Sequence, residues 1–363
     1  MKKLAAALLA AFMLFASACS LFGGEPAPTE TPAPTEAPTA EPTAEPTAEP
    51  TEAPTEEPTY APTEEPDAFV LPDDASDYTR KVVEAAGKRM DAIIAYISAN
   101  PIRIGGETHP YAPLNCFEAL SPEALEVYNT LLEAASSFED AAVTCPQQVM
   151  KAALKALYTD HPEIETYFTM LEAAEQDPAA DTAWESIYSL PESRYLEPAE
   201  DMEELKDQVE TLKLTAAYIA SRIPEGFSPI DKYRALAFYV ADNTQYAHVV
   251  GELPVYSTTC YGAVVNGYSI CQGYAFGFEY LCRTADLDCR HLTNGRSDDQ
   301  LHYWDVVTLD QGTYFVDVTW CDSGSDSYRD SRFYKWFMFP SDAYHIATDS
   351  TMTTGAPFDK TGW

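Results

Sequence analysis

The chain has 363 residues, with 58 Asp and Glu against 22 Lys and Arg, for a formal net charge of −36. A surface this acidic repels phosphate backbones and anionic headgroups, which excludes nucleic acid as a partner. With 46% apolar residues, 23 Tyr and 16 Phe, the chain as a whole is not disordered, and its length accommodates two domains.

Met1-Lys2-Lys3 precedes an apolar run from Leu4 to Phe15. That run is shorter than the ~20 residues a spanning helix needs, and it suits the apolar region of a secretory signal. Ala16-Ser17-Ala18-Cys19 resembles the lipobox of bacterial lipoproteins. The resemblance implies a signal peptide over 1–18, lipidation at Cys19, and anchoring on the extracellular face of the bacterial cell membrane. From Glu25 to Asp67 the chain repeats Pro-Thr-Glu and Ala-Glu-Pro-Thr units, with twelve acids and no base. Only Tyr60 could enter a core there, so 19–67 is expected to form an extended, disordered stalk. At ~3.1 Å per residue it would reach on the order of 100 Å.

The first half of the remainder, 68–228, reads as a helical N-terminal domain. Asp77 to Ala99 places Val82, Val83, Ala86, Met90, Ile93, Ile94 and Ile97 at helical spacing. Ser121-Pro122-Glu123 is a helix start, with a cap, an early Pro and an acid at the positive dipole end. Pro146 opens a further helix that must stop by Asp160-His161-Pro162, because Pro disfavours helix in its predecessor. Met202, Leu205, Val209, Leu212, Ala216, Ile219 and Ile223 step by three and four, a stripe for a partner helix. Ile230 to Asn243 is the last helix before the character changes.

The segment 229–363 opens with this helix and turns to mixed structure. Tyr246 to Ser269 has no helical period, and Cys271 to Thr284 is helical again. Two β-rich runs, His302 to Leu309 and Thr313 to Thr319, flank Asp310-Gln311-Gly312 and predict a hairpin. Helices followed by an antiparallel sheet define an α+β class.

Amide chemistry by cysteine needs a thiolate, a base and a group that orients the base. Cys271 stands at a predicted helix start, where free N–H groups and the dipole lower a thiol pKa. His302 and Asp317 follow in that chain order on the two hairpin strands. Tyr261-Gly262-Ala263-Val264-Val265-Asn266-Gly267 with Cys271-Gln272-Gly273-Tyr274-Ala275 resembles the nucleophile segment of bacterial transglutaminase-like domains. His302-Tyr303-Trp304-Asp305 resembles their His-x-Trp-Asn strand, with Asp305 in place of Asn, and Asp317-Val318-Thr319-Trp320 resembles their Asp-x-Thr-Trp strand. Asp160-His161-Pro162-Glu163 is similar to a segment of secreted, multi-helix members.

The resemblance implies a papain-like core, a nucleophile helix packed on an antiparallel sheet, with Cys271, His302 and Asp317 as the catalytic triad. It implies a cell-surface enzyme that acts on amide bonds through a thioester, either as a peptidase or amidase or as an acyltransferase. The substrate would be a peptide or protein, cell-wall peptide among the options. Its rival is a surface binding module that keeps the residues but not the reaction. Gln272 stands where calcium-dependent animal transglutaminases carry Trp, so calcium is not expected, and neither is any other metal or cofactor.

Cys116, Cys145, Cys260, Cys282, Cys289 and Cys321 allow fifteen pairings, which stay open. His109, His161, His248, His291 and His345 are scattered and read as structural or solvent-facing. One geometric condition remains. Asp317 can orient His302 only if both leave the same face of the hairpin. A two-residue turn pairing Leu309 with Gly312 satisfies this, and a three-residue turn breaks it unless a bulge intervenes. An even register is expected, with Trp320 close to the His302–Asp317 contact.

Overall fold

The fold is that of a computed structural model, described over residues 69–105, 114–172, 181–188, 201–247, 255–294, 301–324, 330–340, 344–345, 355–361 and 363. The expected signal peptide, lipidation site Cys19 and expected stalk lie outside these residues, as do His109 and His248. The class is α+β, with antiparallel sheets and helices that alternate with them.

Helix α1 (Asp77–Ala99) starts where Ser76 Oγ accepts the Thr79 N–H. Its inward face is Val83, Ala86, Met90, Ile93 and Ile97, the predicted stripe. Helix α2 (Pro122–Ser137) begins at the Ser121 cap as its sequence requires and ends with Phe138 in the left-handed region. Strand β1 (Ala142–Pro146) leads into α3 (Gln147–Asp160), which stops as Pro162 dictates. Strands β2 (Phe168–Glu172) and β3 (Asp181–Tyr188) complete an antiparallel sheet in the order β1-β3-β2.

This sheet lies inside the stretch expected to be helical. Its strands obey a period of two: Thr182 and Trp184 are buried while Glu185 and Ile187 are exposed, and Phe168 and Met170 are buried. Strands β1 and β2 are short and β3 is interrupted by polar residues, so they carry little weight beside the strong helical repeats around them.

Helix α4 (Met202–Arg222) is capped by Asp201, whose Oδ1 accepts from Glu203 and Glu204. It packs along α1. Helix α5 (Pro229–Asn243) is capped by Ser228. A two-residue parallel pair, β4 (Gln245–Tyr246) with β5 (Tyr268–Ser269), precedes α6 (Cys271–Thr284). Strands β6 (Cys289–Thr293), β7 (Tyr303–Leu309) and β8 (Gly312–Val316) form the second antiparallel sheet in that order, and α6 packs on β6 and β7. Two short helices follow, α7 (Val318–Cys321) and α8 (Ser331–Lys335).

The side chains gather into two large cores. One joins α1, the second half of α4, α5, α6 and one face of the second sheet. The other joins α2, α3, the first sheet and the first half of α4 through Leu205 and Val209. A smaller cluster of Leu114, Leu292, Trp304, Val306, Phe315 and Phe339 covers the opposite face of the second sheet. Among the described residues no helix is long and apolar enough to cross a membrane.

Candidate active site

The hairpin pairs Leu309 with Gly312 and Thr308 with Thr313, on through Asp305 with Val316. The turn is therefore the two-residue Asp310-Gln311. Neither of those residues has positive φ; Gly312 at φ +132° makes the left-handed correction, which side chains resist. Continued one step, this register sets Trp304 opposite Asp317. His302, two residues before Trp304, then shares a face with Asp317, as the even register requires.

Two details differ from the expected strands. His302 precedes β7, and β8 ends at Val316. Val318 and Thr319, both strand formers, begin helix α7 because Asp317 caps it: Asp317 Oδ1 accepts the Trp320 N–H at 3.0 Å. The capping bond fixes one carboxylate oxygen and turns the other toward His302.

His302 Nε2 donates to Asp317 Oδ2 at 2.7 Å, with His302 5% exposed and Asp317 0%. An ionised carboxylate only accepts, so the ring proton sits on Nε2. Nδ1 is then the ring nitrogen that faces away from Asp317. Trp320 stacks on the His302 ring at 5.1 Å, and Trp304 stacks at 6.2 Å. These faces keep water from the bond, where the expected placement of Trp320 put it.

Burial alone would raise the Asp317 carboxyl. The charge and hydrogen bond of His302, joined by those of His345, outweigh it and hold the group below the ordinary carboxylate range. His345, read from the sequence as structural or solvent-facing, is not solvent-facing. It is fully buried, and its Nε2 donates to the same Asp317 Oδ2 at 3.0 Å. No spacing rule could have found it, since it lies 28 residues beyond Asp317. His302, Asp317 and His345 offer ligand atoms within 4.8 Å of one another. Both imidazoles aim directly at the carboxylate oxygen, so hydrogen bonds account for the cluster without an ion.

Cys271 is the first residue of α6 and is 2% exposed. Helices α1, α2, α4 and α5 are capped by a Ser or Asp side chain, whereas α3, after Pro146, and α6, after Ile270, have none. Its N-terminal N–H groups and dipole are left to other partners. A Cβ on Gly273, in the same turn, would overlap Ser269 Oγ and the Ser257 carbonyl, so only glycine lets this helix start seat so deeply. Cys271 is close enough that its charge helps burial and Glu165 push the Tyr303 hydroxyl up to about 12. Tyr303 adjoins His302, and α6 packs on β7, so the helix start and the His302 end of the strand share one region.

Farther along α6, Glu279 Oε1 accepts Arg283 Nε at 2.8 Å and its Oε2 bonds His291 Nδ1 at 2.6 Å. Arg283 also reaches Asp160 Oδ1 at 3.4 Å. Asp160 in turn accepts the N–H groups of Cys116 at 2.7 Å and Phe117 at 2.9 Å. The Asp160-His161-Pro162-Glu163 segment therefore ties α3 to the Cys271 helix. His161 bonds Glu163 at 3.2 Å, and with His291 it fits a structural role. Among the described residues, the seven cysteines form no disulfide with one another. Among known proteins, no family model matches the chain and no curated protein matches it.

Proposed function

We propose that this is a cysteine enzyme acting on amide bonds, with Cys271 as nucleophile, His302 as base and acid, and Asp317 as the group that orients His302. The observation that carries the reading is the 2.7 Å His302–Asp317 bond, buried beside an uncapped helix that starts at Cys271. That buried pair has an expensive carboxylate to keep ionised, and an oriented imidazole N–H, which becomes an imidazolium when Cys271 gives up its proton, is what offsets it. The arrangement, with α6 against the β6–β7–β8 sheet, is compatible with a papain-like core of the transglutaminase-like kind.

In this mechanism Cys271 transfers its proton to His302 Nδ1, and the thiolate attacks the amide carbon. The oxyanion forms at the start of α6, where the helix dipole and first-turn N–H groups stabilise it. Nδ1 gives its proton to the leaving nitrogen, the C–N bond breaks, and a thioester remains on Cys271. Water or an amine, deprotonated by Nδ1, then releases the acyl group. Hydrolysis and acyl transfer differ only in that second nucleophile. Throughout, Asp317 holds the Nε2 proton and stabilises the imidazolium.

The same reading places the protein on the outer face of a bacterial membrane through a lipid on Cys19, with a peptide or protein as substrate. The test is trapping. Incubation with a peptide mixture, acid quenching and mass analysis should yield an adduct on Cys271 that Cys271→Ala lacks. Alkylation of Cys271 should titrate well below the unperturbed ~8.5. A single ordinary titration and no adduct would leave only the binding-module reading.

A further inference from the structure

His345 has no part in the reaction as proposed above, yet it is the most enclosed imidazole of the site. Trp304, Trp320, Trp336 and Phe339 surround it, with ring centroids at 5.1, 4.8, 5.5 and 4.8 Å. Three of these four rings meet it edge to face. A polar ring packed in such walls is costly unless its N–H is satisfied. His345 satisfies its Nε2–H on Asp317 Oδ2, the oxygen that also accepts from His302.

We propose that His345 is a positioning residue that divides the Asp317 Oδ2 charge with His302 and so sets how strongly Asp317 stabilises the His302 imidazolium. This rests on the reading of Cys271, His302 and Asp317 as the reactive centre. An oxygen that accepts two donors offers less to each. Remove His345, and all of the Oδ2 density falls on His302, whose imidazolium then survives to higher pH. Meanwhile the carboxylate is held only by the Trp320 N–H and by His302 itself, so its rotamer loosens. Two other titratable groups lie close to Asp317, and both are pushed toward their neutral forms. Asp305 on β7 is pushed well up by burial and then by the nearby Cys289, Glu279 and Asp317 charges. Cys321 on α7 is pushed well up by burial and then by Asp317.

The experiment compares wild type with His345→Phe, which keeps a ring but no donor, and His345→Gln, which returns an N–H. If Phe is not accommodated, His345→Met, also without a donor, replaces it. Cys271 alkylation by iodoacetamide is followed against pH, and exchange-protected imidazole N–H protons are recorded by NMR at low field. Wild type is expected to show two such signals. His345→Phe should keep one, at a displaced position, and its upper alkylation inflection should rise by roughly half a pH unit or more. His345→Gln should bring that inflection back toward wild type. An unchanged inflection in His345→Phe overturns the proposal. So does a stoichiometric divalent ion in the wild-type protein that His345→Phe loses, because the three side chains would then be ligands. If Cys271 titrates as an ordinary thiol in wild type, the enzymatic reading fails, and the NMR signals alone still decide the role of His345.

Discussion

Asp305 is sealed in β7 with one carboxyl oxygen 3.9 Å from Cys289 Sγ and the other without a hydrogen-bond partner. Burial first, and then the nearby Cys289 and acidic groups, raise its pKa well above the ordinary value. A carboxyl raised on folding stays protonated in the folded state while its unfolded form ionises. Stability is thus lost progressively as pH climbs above the unfolded value of ~3.9. Asp305→Asn is expected to remove this penalty, raising stability at neutral pH by on the order of 1 kcal/mol or more, with a gain that grows with pH from 4 upward. Urea unfolding at several pH values checks it. Asp317 behaves with the opposite sign. Its folded value is depressed, so its contribution is complete above the unfolded ~3.9 and disappears as pH falls through the folded value. Asp317→Asn should lower turnover by about 10²–10⁴ while leaving Cys271 in place, since the amide neither stabilises the imidazolium nor fixes its tautomer. Peptide-adduct formation rates measure this.

The hairpin of β7 and β8 transmits a turn to the candidate site. One residue inserted between Asp310 and Gly312 would shift the register by an odd number and send Asp317 to the other face. The expected outcome is a folded sheet by circular dichroism with no Cys271 adduct. Gly312→Ala meets both its φ of +132° and Gly355 Cα at 3.1 Å from the new Cβ, and should cost on the order of 1–2 kcal/mol in thermal unfolding. The helical stripes of α1 and α4 and the Ser121 and Pro162 boundaries were legible because each is a local rule repeated or enforced by one residue, while the even register followed only from the need to bring Asp317 to His302. Three things were not. In the sheet of β1, β2 and β3, two runs are short and the third is broken by Asp181, Glu185 and Ser186, so none competes with neighbouring helical repeats. The turn Val318–Cys321 follows from a side-chain cap at Asp317 that overrides strand-forming residues. His345 joins the site through tertiary packing alone, which no sequence period encodes.

At the scale of the whole molecule, the Asp160–Arg283–Glu279 chain of charges links the helical half to the Cys271 helix. Asp160→Ala would leave the Cys116 and Phe117 N–H groups and the Arg283 guanidinium short of a buried acceptor. About 2–4 kcal/mol of stability should go with it, read by urea denaturation. The larger consequence comes from α4. Leu205 and Val209 belong to one core while Leu212, Ala216 and Ile219 belong to the other. A continuous helix cannot fray at its middle without exposing both, so the two cores share a fate. Heating should give a single calorimetric transition whose van't Hoff and calorimetric enthalpies agree, although the side chains fall into separate clusters. The helix thus acts as a common axle: loosening at β1–β3 would be felt at Cys271, some distance away, as a change in how often the whole body opens.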